Sequence, residues 1–205
     1  RQMCIRDRPK LNTLASLIIG LFLFGLGEAL LVTSQMGVSP WTALAQGLSN
    51  VTGSGLGLAT FIISVFVLLL WIPLKQRPGI GTILNAIIIS LTLHYAIPFM
   101  PIFEQNILRI SQAILGVFVT GLGGGIYLIA NLGPGARDGL MTGMQRITNF
   151  PIAWVRSSIE IMVLTVGWLL GGVIGLGTII FALGIGPCLA ISLTIFGSRK
   201  SKSNH

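Results

Sequence analysis

A chain of 205 residues with 53% apolar residues, 9% charged residues and a formal net charge of +8 has too little polar surface to cover a water-soluble globule of its size. A mean hydropathy of +0.88 places it among lipid-embedded proteins. The surplus of Lys and Arg would suit nucleic acid, but these residues stand scattered at the ends of apolar runs, where they read as topology signals. The expected partner is the bilayer, and no nucleic acid is expected.

The first eight residues, Arg1 to Arg8, resemble a translated transposon-derived sequencing adapter and are set aside from the fold. Without them the acidic and basic counts fall from 5 and 13 to 4 and 10. Residues 9–205 are expected to form one transmembrane domain ending in a basic tail over 197–205. Apolar runs of roughly 18 to 25 residues can cross a hydrocarbon core about 30 Å thick. Such runs lie near Leu14–Thr33, Leu56–Leu74, Ile80–Pro98, Ile107–Ala130, Ile152–Leu170 and Leu176–Phe196. The first has no small-residue cleavage site and is expected to stay as an anchor.

Two further segments are too short and too glycine-bounded to span, Ser39 to Val51 and Ala136 to Ile147. Ser39 is placed to cap the first and Pro40 suits its opening position, while Asp138 serves a similar end in the second. Each segment either lies flat at the interface or dips in as a half-helix, which requires protein or a water-filled cavity around its free backbone groups. Basic residues fall between spans two and three (Lys75, Arg77), around spans four and five (Arg137, Arg146, Arg156) and after span six (Arg199, Lys200, Lys202). The alternate linkers contain no Lys or Arg, which predicts both termini on the cytoplasmic side.

The chain nearly repeats itself at an offset of 96 residues. Gly25-Leu26-Gly27 matches Gly121-Leu122-Gly123, Gly37 matches Gly133, Thr52 matches Thr148, and Gly81-Thr82-Ile83 matches Gly177-Thr178-Ile179. The repeats cover about 14–98 and 107–196. Each carries three spans, an odd number, so the second copy must be inverted relative to the first, a pattern of secondary transporters. The expected fold is therefore an all-α polytopic membrane protein of six transmembrane helices in two inverted three-helix repeats, each with a short re-entrant or interfacial helix. Gly20, Gly25 and Gly27 in span one and Gly116 to Gly125 in span four predict that these two helices cross closely.

Ionisable groups at membrane depth are costly, so each is a candidate for function. Glu28 lies in the outer part of span one and His94 at matching depth in span three, which would let them share a proton or ligand. Trp41 lies at the start of the first short segment. Arg137 and Asp138 follow Gly133-Pro134-Gly135 at the start of the second, where Arg137 and free backbone amides can hold an anionic group. Arg156 and Glu160 stand four apart on one helix face and can pair. A structural reading stands beside this one, in which Arg137, Asp138, Arg156 and Glu160 form a salt-bridge cluster fixing the short helix to span five. Cys188 stands alone in an apolar run, and no metal spacing, P-loop or dinucleotide signature is present, so neither a cofactor nor an enzyme is expected.

The runs Gly25-Leu-Gly-Glu-Ala-Leu, Gly37-Val-Ser-Pro-Trp-Thr-Ala-Leu, Arg77-Pro-Gly-Ile-Gly-Thr, Gly133-Pro-Gly-Ala-Arg-Asp-Gly-Leu-Met-Thr-Gly and Gly167-Trp-Leu-Leu-Gly-Gly resemble the YczE-type bacterial integral membrane proteins, relatives of the YitT group. The resemblance covers nearly all of the chain after residue 8. It implies a multi-pass protein of the bacterial cytoplasmic membrane, in a group some of whose members are linked to production or export of secondary metabolites. The chain departs from the family pattern at Ala136, where a proline is usual. Two readings follow: a small-molecule carrier or exporter, or a non-transporting scaffold that holds a cytoplasmic partner through its basic loops. A homodimer is a further expectation, by analogy.

Overall fold

Within hydrocarbon a backbone can satisfy its own polar groups only as a helix or a closed barrel, and this sequence has the glycine-punctuated apolar runs of helices. The computed structural model describes residues 11–202, with side chains through residue 196. The adapter-like start, and the tail's side chains including Arg199, Lys200 and Lys202, lie outside what is described. In chain order the helices are α1 (Leu11–Ser34), α2 (Pro40–Thr52), α3 (Leu56–Leu70), α4 (Ile80–Ala96), α5 (Asn106–Ala130), α6 (Ala136–Thr148), α7 (Ile152–Leu169) and α8 (Leu176–Lys202). A 3-10 turn, Ile97–Phe99, extends α4. No strand occurs among the described residues.

Five helices, α1, α4, α5, α7 and α8, are long and apolar enough to cross a membrane. At 15 residues α3 falls short alone, and it counts as a sixth span only with α2, from which it is bent by 114°. The two short segments are helices of 13 residues each. Pro40 opens α2, and left-handed residues stop α2 at Gly53 and α6 at Asn149.

Helices α1 and α5 cross antiparallel at the centre: Gly20 lies on Gly123 and Gly27 on Gly116. A Cβ on Gly20 would stand 2.6 Å from Tyr127 N, so only glycine permits this approach. Leu17 and Leu21 of α1, Ile89 and Leu93 of α4 and Tyr127 of α5 fill the core beside the crossing.

The 96-residue offset is written into the backbone. Helices α2, α3 and α4 begin at 40, 56 and 80, and α6, α7 and α8 at 136, 152 and 176. Every described residue with positive φ has its counterpart: Gln35 with Asn131, Gly37 with Gly133, Gly53 with Asn149, and Lys75 with Gly171. Contacts between the halves come in matching pairs as well. Gly81 N donates to Leu132 O at 3.0 Å, and Gly177 N donates to Met36 O at 2.7 Å.

One pair of matching contacts differs. Gly167 lets α7 lie directly on α2, where a Cβ would come within 2.9 Å of Ala43 O. Its counterpart is Trp71, whose indole stands between α3 and α6 against Gly139 and donates from Nε1 to Ala136 O at 3.0 Å. The first interface is closed and the second is wedged by an indole.

Candidate functional site

The opening turns of α2 and α6 converge on one cavity of about 300 Å³. Ser39, Pro40 and Trp41 reach it from the α2 side, and Gly135, Arg137 and Asp138 from the α6 side. Tyr127 of α5 and Arg156 and Glu160 of α7 complete its polar wall. Phe24 of α1 and Phe181, Ile185 and Leu189 of α8 supply an apolar one. Two helix N-termini therefore bring their partial positive ends to the same space.

The Arg137 guanidinium carbon lies 5.5 Å from the centroid of the Trp41 ring, in cation–π range. Arg137 makes no ion pair among the described residues, though Glu28, Asp138 and Glu160 all lie within its electrostatic reach. Asp138 Oδ2 instead accepts the Tyr127 hydroxyl at 2.9 Å. Arg156 and Glu160 pair at 2.9 Å with side chains 51% and 32% exposed. The four-residue salt-bridge cluster is not formed; one isolated pair stands in its place, because Trp41 takes up Arg137 and Tyr127 takes up Asp138.

Behind this wall Glu28 is fully buried. Its Oε2 accepts hydroxyls from Ser39 at 2.9 Å and Thr42 at 2.6 Å, and its Oε1 has no hydrogen-bond partner among the described residues. The Trp41 Nε1–H is likewise buried without an acceptor among the described residues. Ser39 stands at the cap position of α2, yet its hydroxyl turns to Glu28 and caps no backbone amide. Asp138 sits within the first turn of α6, whose cap residue is Gly135.

Glu28 and His94 are not brought together. His94 is exposed at the end of α4, where Gly57 of α3 packs against its backbone and Tyr95 meets its ring edge-on at 4.9 Å. Six of the seven candidates, Glu28, Trp41, Arg137, Asp138, Arg156 and Glu160, line the cavity or stand directly behind it, and His94 alone lies elsewhere. Tyr127 and Thr42 carry roles that sequence reasoning missed. The repeat held the signal for Thr42, since it is the counterpart of Asp138, while Glu28 answers to Gly124. Among the described residues, no three His, Cys, Asp or Glu side chains gather to hold a metal ion.

Residues 11–194 match the model of a family of unknown function, DUF6198. The chain belongs to this family. The DUF6198 chain is 41% identical over 184 residues to an uncharacterized protein of Haemophilus influenzae, covering 90% of this chain and 84% of the relative. It is 32% identical over 179 residues to the uncharacterized membrane protein YczE of Bacillus subtilis, covering 85% and 82%. To the Bacillus subtilis protein YyaS it is 28% identical over 168 residues, covering 79% and 83%. No solved structure matches the DUF6198 chain. Its apolar helices and its likeness to YczE make it an integral membrane protein.

Proposed function

We propose that this DUF6198 protein is a small-molecule carrier of the bacterial cytoplasmic membrane, in which two inverted halves move against each other around the cavity between α2 and α6. One observation carries the reading: Trp41 and Arg137, counterparts at the 96-residue offset, meet where two short helices point their N-termini at a common space. A half-helix that ends beside a protein-lined cavity is tolerated at membrane depth and gives a substrate donor groups that lipid cannot. The glycine crossing of α1 and α5 serves as the axis. The difference between the close α2–α7 interface and the Trp71-wedged α3–α6 interface supports alternating access, since a carrier at rest favours one side.

In this reading α2 and α6 enter from opposite faces and both termini are cytoplasmic. With Cys4 and Cys188 replaced, single cysteines at Asn50 and Asn149 then react with a membrane-impermeant reagent from opposite sides of oriented vesicles. Labelling from one side overturns the inversion. Transport is tested with purified protein in liposomes, by uptake of a broad panel of labelled metabolites and by Arg137→Gln alongside the parent. Panel-wide absence of uptake, together with co-purification of a soluble partner, replaces the carrier with the scaffold reading.

A further inference from the structure

The cavity holds unmet hydrogen-bonding capacity of both signs. On one side is the Arg137 guanidinium, which lies over the Trp41 ring and has no ion-pair partner among the described residues. The first turns of α2 and α6 add their partial positive charge. These groups call for an acceptor that carries negative charge, and a carboxylate meets a guanidinium with two parallel hydrogen bonds.

On the other side are carboxylates. Asp138 uses Oδ2 for Tyr127 and leaves the rest of its acceptor capacity facing the cavity. Glu28, behind Ser39, has Oε1 unpartnered. Arg156 and Glu160 neutralise each other. A simple anion would satisfy Arg137 and be opposed by Asp138 and Glu28; a simple cation would do the reverse. A molecule with both charges satisfies both sides and adds no net charge to a site embedded in a low-dielectric medium.

We propose that the cavity recognises a small zwitterion, an amine-bearing carboxylic acid with an apolar body. Its carboxylate lies on Arg137, its ammonium on Asp138, and its apolar part against Phe24, Phe181 and Leu189. At about 300 Å³ the cavity is at the small end of ligand sites, which suits a molecule of amino-acid size. This assignment rests on the carrier reading for its biological use, and on the cavity alone for binding.

The test uses three probes of matched shape: L-phenylalanine, 3-phenylpropionate, which lacks the ammonium, and 2-phenylethylamine, which lacks the carboxylate. Calorimetric titration of the full chain in neutral-lipid nanodiscs is expected to give the tightest binding for L-phenylalanine. Arg137→Gln is expected to weaken L-phenylalanine and phenylpropionate about ten- to a hundredfold, the worth of a hydrogen bond to a charged group, and to spare phenylethylamine. Asp138→Asn, which retains an acceptor for Tyr127, is expected to weaken L-phenylalanine and 2-phenylethylamine and to spare 3-phenylpropionate. Equal or tighter binding of either singly charged probe, or binding of none of the three, overturns the proposal. Binding of the zwitterion without flux in liposomes removes the carrier reading and leaves the site. Flux of a singly charged compound without zwitterion binding does the opposite.

Discussion

Trp41 and Arg137 occupy the same position in the two halves of the chain and lie against each other, guanidinium carbon to ring centroid at 5.5 Å. Their identities differ, aromatic in one half and cationic in the other, so positions matched at the 96-residue offset hold a chemically complementary pair.

The pair should be energetically coupled. In a double-mutant cycle of Trp41→Leu and Arg137→Leu, read by thermal unfolding in detergent, a coupling of about 0.5–2 kcal/mol is expected for a partly desolvated cation–π contact. Strict additivity would show that the two merely share a wall.

The hydroxyl cradle of Glu28 makes a second prediction. Ser39→Ala and Thr42→Val each remove a hydrogen bond to a buried carboxylate and are expected to cost about 1.5–3 kcal/mol. Repeating each substitution in a Glu28→Gln background should reduce that cost, because the acceptor is then neutral. Unchanged costs in that background would mean that the hydroxyls act through other contacts.

Gly37 and Gly133 adopt φ of +114° and +130°, and a Cβ on either would crowd the opposite half, at 2.6 Å from Gly175 N and 2.9 Å from Thr82 Oγ1 respectively. Gly37→Ala and Gly133→Ala should therefore both destabilise, by about 1–3 kcal/mol each from backbone strain alone. Matched losses in melting temperature are the expected result, and a neutral outcome at either position would argue against the shared backbone geometry.

Trp71 holds α6 off α3 and fixes its first residue through Ala136 O. Trp71→Phe keeps most of the packing and loses the hydrogen bond, for an expected cost of about 1 kcal/mol, whereas Trp71→Ala should cost about 3–5 kcal/mol. Reactivity of a cysteine placed at Thr142, on the cavity wall, should change in both variants if the wedge sets the cavity's opening.

The Arg156–Glu160 pair is half open to its surroundings. Glu160→Gln should shift stability by less than about 1 kcal/mol, as exposed ion pairs do. A larger loss would place the pair inside a tighter network than its exposure indicates.

Much of this was readable in advance for a simple reason. Helix runs, their glycine stops and the 96-residue echo are local or periodic properties, and lipid leaves apolar runs of this length no alternative to helix except a closed barrel, so the starts at Pro40, Ile80, Ile152 and Leu176 follow from composition and punctuation. The close crossing of α1 and α5 was legible for the same reason, since Gly20, Gly27, Gly116 and Gly123 recur at helical spacing with no other use. The pairing of Glu28 with His94 failed because matching depth says nothing of facing: His94 points toward α3, while Glu28 points toward the first turn of α2.

The sequence by itself determined a membrane-embedded helical chain with two matching halves, because hydropathy and repetition act residue by residue along the chain. Only the tertiary structure decided that Arg137 stacks on Trp41, that Asp138 answers to Tyr127 and that Glu28 is enclosed by Ser39 and Thr42. Those choices depend on which side chains a close helix crossing forces together. In a medium without water, each buried polar group must settle for whichever partner the packing brings within reach.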